Sequence, residues 1–165
     1  MSEAEYLAWI RSALRSRWLR WRPRSLALER ARQPYSGPNK AQKWVFQCAM
    51  CLKRFKAKEV EVDHFPHDAG SIRSIEDVGP FANRLYCEVD NLRVVCKPCH
   101  KIHTYAVQQG VDFETAALLK KVVAFDKLPV SQQHEMLANL NLPTGKTKQA
   151  NKVIFQQHLE GCKDE

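Results

Sequence analysis

No run of apolar residues in this chain approaches the roughly 20 that a bilayer-spanning helix needs, so no membrane partner is expected. The N-terminal stretch MSEAEYLAWIRSALRSRW opens acidic and then carries arginines throughout. That is not the pattern of a secretory signal peptide. No internal repeat and no low-complexity segment is present in the 165 residues. These absences lead to the expectation of a soluble, cytoplasmic protein. A disulfide-rich secreted factor is not expected on the same grounds. In a reducing compartment, cysteines at short spacing bind metal more often than they pair.

What is there is a chain near the usual size of one domain, with an ordinary hydrophobic fraction of 44%. It is basic: 26 Lys and Arg stand against 18 Asp and Glu, a net +8. A basic protein of this size often binds polyanions. The excess is concentrated. Residues 1–43 hold ten basic side chains and three acidic ones, a net +7.

Leu7, Ile10, Leu14, Trp18 and Trp21 recur at steps of three or four, which predicts one amphipathic helix over residues 2–22. Ser2 is its expected N-cap, with Glu5 completing a capping box, and Pro23 ends it. The tryptophans could stack on bases; at helical spacing they read first as core. Arg11, Arg15 and Arg22 flank the stripe, facing phosphates in a nucleic-acid complex. A second short helix is expected over 24–32. QPYSGPNK (33–40) reads as a linker, with short strands at 44–46, 60–62 and 92–96 beyond it. Residues 66–84 read as a loop with at most one helical turn. A helix is expected from Lys97 to about Gln109, stopped by Gly110. The rest reads as three helices, the first capped by Asp112. A helix, the loop LPTGKTK and a further helix weakly resemble a SAP-type hairpin that binds DNA, with Lys146 and Lys148 as phosphate contacts. The alternative is a helical cap. The expected organisation is a basic helical arm (1–36), a core (37–109) and a helical C-terminal region (110–165).

Cys48-x-x-Cys51 and Cys96-x-x-Cys99 are matched pairs. Two residues between cysteines let both thiolates reach one ion from a single turn. Two such turns make a closed tetrahedral S₄ set, which suits structural Zn²⁺. A closed set has no open position, so this ion would not be catalytic. Cys87 and Cys162 are left over as ordinary thiols.

Between and beside the knuckles lie Val62-Asp63-His64, Asn91-Leu92 and His100. A cysteine pair, a strand ending in Asp-His, Asn-Leu leading into a second strand, and Cys-x-x-Cys-His opening a helix together resemble the HNH nuclease family. The resemblance covers about residues 43–107. It implies an α+β fold: a small ββα-metal core stapled by the Cys₄ zinc site, flanked by N-terminal and C-terminal helices. It implies a metal-dependent endonuclease acting on double-stranded DNA, with His64 as general base and Asp63 and His100 as ligands of a catalytic divalent ion. That ion would be Mg²⁺ or Mn²⁺, with Ni²⁺ and Zn²⁺ as further options. Asn91 would hold the loop that aims His64, although in some family members it contacts the metal. Small free-standing proteins of this kind resemble those of phage genomes. Such an origin implies the host cytoplasm and a partner such as a terminase or a replication protein.

The chemistry has an independent basis. An imidazole with a pKa near neutrality can take a proton from water, and a divalent cation can stabilise the leaving oxygen. Adjacent residues on a regular strand point to opposite faces, so Asp63 and His64 should do different jobs. The sequence also departs from the family pattern. Pro66 comes one residue early and His67 follows it. Where DNase colicins carry a second metal-binding histidine on the helix, this chain has Thr104, and His103 lies one residue short. His103 is a possible further ligand; His134 and His158 are expected at the surface. The rival reading is a zinc-stabilised nucleic-acid-binding module without catalysis.

Overall fold

Ser2 accepts a hydrogen bond from the Glu5 backbone N–H while the Glu5 carboxylate reaches back to the Ser2 N–H, and this capping box starts α1 (Glu3–Trp18). The computed structural model describes residues 1–66 and 68–162, so His67 lies outside the described residues. After α1 come α2 (Arg22–Ala31), β1 (Arg32–Pro34), β2 (Trp44–Gln47), β3 (Arg54–Phe55), β4 (Val60–His64), α3 (Val78–Leu85), β5 (Leu92–Cys96) and α4 (Lys97–Gln109). Three further helices follow: α5 (Phe113–Asp126), α6 (Val130–Asn139) and α7 (Lys148–Gly161). The chain is a mixed helix and sheet protein. None of its described helices is long and apolar enough to cross a membrane.

Two compact units divide inside α4, at Met1–His100 and Lys101–Glu165. In the first, β1, β2 and β3 form one antiparallel sheet, while β4 and β5 form a separate antiparallel pair. Val60, Val62, Leu92 and Val94 share one face of that pair and pack against Ala27 of α2, with Trp18 and Phe46 around them. A second cluster joins Leu7 of α1 to Phe81 and Leu85 of α3, with Ile10, Leu14 and Trp18 alongside. The apolar stripe of α1 is therefore core, as its spacing predicts. Two bonds fasten the N-terminal segment to the chain just after α3: Tyr86 Oη donates to the Leu14 carbonyl at 2.7 Å, and Trp21 Nε1 donates to the Cys87 carbonyl at 3.0 Å.

The helix expected over 2–22 ends at Trp18, and Pro23 does not end it but sits in the first turn of α2, where its missing N–H costs nothing. Two other segments also differ from their sequence reading. The expected linker 33–40 begins inside β1, whose Pro34 faces Trp44. The Arg32 guanidinium lies 4.2 Å from the Trp44 ring centroid, and Gln33 bonds Gln47 at 3.1 Å. These cross-strand contacts outweigh the turn-rich composition, and Pro34 is tolerated because β1 is an edge strand. The expected boundary at 36/37 thus falls within the connection between two paired strands. The second segment is the expected loop 66–84, which contains α3. Its Gly79 and Pro80 sit in the first turn, where proline does no harm, and Phe81 and Leu85 are buried.

In the second unit, α5, α6 and α7 enclose Val122, Phe125, Leu137 and Phe155, with Phe125 and Phe155 stacked at 4.3 Å. Two fully buried amides cross this core. Asn151 donates to Gln133 at 3.2 Å, and Gln133 donates to the Phe125 carbonyl at 3.0 Å. Asn151 Oδ1 also accepts the Gly145 N–H at 2.7 Å. A Cβ at Gly145 would lie 2.5 Å from that of Ala150, so the loop between α6 and α7 requires glycine there.

Phe81→Ala should lower the unfolding free energy by about 3–5 kcal/mol, the usual cost of truncating a fully buried phenylalanine. Urea denaturation followed by circular dichroism measures it.

Candidate active site

The first knuckle is a tight turn. The Leu52 N–H donates to the Cys48 carbonyl at 3.0 Å, and Leu52 takes a positive φ of 59°, a conformation that usually calls for glycine. The second knuckle is the junction of β5 with α4. The backbone N–H of Cys96 donates to Cys48 Sγ at 3.3 Å, and that of Cys99 donates to Cys96 Sγ at 3.5 Å. The ligand atoms of Cys48, Cys51, Cys96 and Cys99 all lie within 4.8 Å of one another. Cys51 and Cys96 sulfurs are 4.0 Å apart, near the roughly 3.8 Å edge of a tetrahedron with metal–sulfur bonds of about 2.3 Å. The set could hold a metal ion such as zinc.

Burial works against ionising Cys48, but the backbone N–H groups of Cys51, Cys96 and Met50 outweigh it and bring this thiol down to about 7. Burial and the neighbouring sulfurs push Cys96 and Cys99 up. Four thiols in one small volume cannot all ionise unless a cation joins them.

Asp63 pairs with Arg93 across the β4–β5 ladder, and His64 with Leu92. Glu61 and Asp63 share one strand face, two residues apart. Arg93 donates to Asp63 Oδ2 through Nε at 3.1 Å and Nη2 at 3.0 Å, and its guanidinium lies 4.7 Å from the Phe65 ring centroid. His100, one residue beyond the second knuckle, meets both carboxylates. Its Nδ1 is 2.5 Å from Glu61 Oε2, and its Nε2 is 3.6 Å from Asp63 Oδ1. With Nδ1–H donated to Glu61, Nε2 turns its lone pair toward a carboxylate oxygen. A proton on Nε2, or a cation shared by the two atoms, resolves that opposition.

His64 emerges on the other strand face. Its Nε2 lies 3.1 Å from the Leu85 carbonyl, and its ring stacks on Trp18 with centroids 5.2 Å apart. A carbonyl can only accept, so Nε2 carries the proton and Nδ1 of neutral His64 keeps the lone pair. The two faces meet in one cavity of about 740 Å³. All five β4 residues line it and no β5 residue does, so it runs along the open edge of β4 and reaches both sides of the strand. His100 also lines it, as do Arg11 and Arg15 of α1 and Arg24 of α2.

Of the side chains expected to act together, Asp63, His64, His100, Arg11 and Arg15 share this cavity. Asn91 does not line it. Its side chain is exposed, and its contact with the strand end is made by its backbone carbonyl, which accepts from the Phe65 N–H at 2.9 Å. Arg22 is exposed and pairs with Glu29 at 2.9 Å; Arg24, two residues on, takes the cavity position. His103 falls one turn beyond His100 on α4, in the second unit, as do Lys146 and Lys148 beside the start of α7. Sequence reasoning missed Glu61, Arg93, Trp18 as a partner of His64, and Arg24. Only Glu61 carried a signal, its two-residue spacing from Asp63. Comparison with known proteins adds no relative: no family model, no curated protein and no solved structure matches the chain.

Cys99→Ser should lose bound metal by elemental analysis and lower the melting temperature. Because Cys96 and Cys99 are raised, metal binding must displace protons. Retention against a chelator should therefore weaken as pH falls.

Proposed function

We propose that this chain is a metal-dependent DNA endonuclease of the HNH type, hydrolysing one phosphodiester bond per encounter and so nicking duplex DNA as a monomer. The observation that carries this reading is the pairing, in one cavity, of a histidine with Nδ1 left as a base and an Asp63–His100 pair facing across 3.6 Å. His64 is the general base. The Leu85 carbonyl and the Trp18 ring hold its imidazole, and Nδ1 takes the proton from the attacking water. Asp63 and His100 fit a divalent cation, Mg²⁺ or Mn²⁺, which when bound would stabilise charge on the leaving 3′-oxygen. Glu61 sits behind His100, holding its Nδ1–H and directing Nε2 at the cavity, the arrangement that orients metal-binding histidines generally. Arg93 keeps Asp63 in one position and partly neutralises it. The arginine wall supplies cations for the strand backbone. The Cys₄ set serves as a structural zinc site: it is all sulfur, has no open position, and fixes where α4 starts.

A supercoiled plasmid incubated with Mg²⁺ or Mn²⁺ should be converted to the open circle by the wild type. His64→Ala should slow this by about 10²–10⁴-fold, the usual contribution of a positioned base, while DNA binding stays nearly intact. Binding without cutting in every metal tried would instead support a zinc-stabilised nucleic-acid-binding module. Glu61→Gln should raise the metal concentration needed for half-maximal nicking by about 10–100-fold, with little change at saturating metal.

A further inference from the structure

Two hydrogen-bond donors in the cavity wall have no acceptor among the described residues. Trp18 Nε1 and Arg24 Nε are buried, and neither finds a partner among the described residues. Leaving a buried donor unpaired is costly, so such groups are rare and call for an explanation. The α1 face of the wall presents Arg11, Ser12, Arg15 and Ser16 to the cavity and no carboxylate. The Arg24 guanidinium lies 5.3 Å from the centroid of the Trp18 ring, whose indole also stacks on His64 at 5.2 Å. Trp18 thus contacts both the Arg24 cation and the His64 ring.

We infer that Arg24 and Trp18 form a phosphate-binding subsite on the α1–α2 wall, one that takes a backbone phosphate beside the bond attacked by the water that His64 deprotonates. The ligand class follows from the donors. An indole N–H and a guanidinium call for an oxyanion, and a metal ion would be repelled. The location selects a phosphate within a strand. At about 740 Å³ the cavity is far larger than one phosphate, and it continues without a break to His64 and His100. The subsite lies outside the segment that resembles the nuclease core, so it is a property of this chain's N-terminal helices. It rests on the reading that the cavity receives a nucleic-acid strand, and it adds which residues grip that strand.

The test measures binding, not cutting. A fluorescein-labelled DNA duplex is titrated by anisotropy, without added divalent metal, over a series of salt concentrations. Inorganic phosphate is titrated in parallel by thermal shift. The proteins are the wild type, Arg24→Met and Trp18→Phe, which keeps an aromatic ring against His64 and removes the N–H. Arg24→Met should bind duplex about tenfold more weakly, the loss of one charge-assisted hydrogen bond, and its salt dependence should flatten by about 0.9 in log–log slope, one phosphate contact. Trp18→Phe should weaken binding less. Without ligand, the melting temperature of Arg24→Met should equal or exceed that of the wild type, because an unsatisfied buried donor is gone; a merely structural arginine would lower it. Phosphate should raise the melting temperature of the wild type more than that of either variant. A response to free phosphate with unchanged duplex binding would overturn the assignment to a strand. Variants that fold and bind both probes like the wild type would overturn the subsite itself. If such variants accompany a wild type that nicks plasmid, the subsite fails and the endonuclease reading stands. If Arg24→Met loses duplex binding in a protein that never nicks, the subsite stands and the hydrolytic reading fails.

Discussion

Two cysteine pairs bring their sulfur atoms within 4.8 Å of one another, and that convergence sets where α4 begins. Cys99 is in its first turn and His100 is the next residue. The knuckle around Cys48 is pinned in turn to β5 by the Ala49 N–H, which donates to the Val94 carbonyl at 2.8 Å. The position of His100 against Glu61 and Asp63 therefore depends on a junction that the four sulfurs hold. The thiols do not provide this hold alone. Burial and mutual proximity push Cys96 and Cys99 toward the neutral form, and a bound cation would turn a crowded set of thiols into a rigid clamp.

The pleat of β4 creates a second constraint. Asp63 and His64 are neighbours in sequence and emerge on opposite faces. A site that uses both needs a cavity that wraps around a strand. The two-stranded sheet permits this because, among the described residues, β4 has no partner on its outer edge. The α1 and α2 helices close that edge at a distance, fastened through Tyr86 and Trp21. Their arginines line the same cavity as the acidic and histidine side chains of β4 and α4, and their tryptophan stacks on the His64 ring. The N-terminal helices thus complete a cavity whose floor comes from the strand and the knuckle.

Much of this was legible in order along the chain. The capping box at Ser2 and Glu5, the stripe of α1, the strands at β4 and β5, the start of α4 and the Asp112 cap all rest on interactions within a few residues. Spacing rules detect such interactions well. The segments that misled were those settled elsewhere. The β1 strand exists because Arg32 and Gln33 find Trp44 and Gln47, and the helix α3 exists because Phe81 and Leu85 have α1 to pack against. Glycine and proline in both stretches pointed toward loops, and tertiary contact overrode that tendency. The same limit applied to the site. Which arginine faces the cavity, Arg22 or Arg24, depends on the orientation of α2. That Arg93 lies against Asp63 depends on strand register.

The sequence by itself determined the chemical kinds of group present and their local spacing: two cysteine pairs, an Asp-His strand end, a histidine after the second knuckle, and a surplus of arginine near the N-terminus. Spacing within a turn or a strand is enough to decide which atoms can share one ion or one face. Only the tertiary structure decided which side chains share a cavity, which nitrogen of His64 carries the proton, and that Trp18 and Arg24 stand behind it. Those facts depend on contacts between elements far apart in the chain, such as the Leu85 carbonyl that meets His64 and the open edge of β4, and no local pattern of residues encodes them.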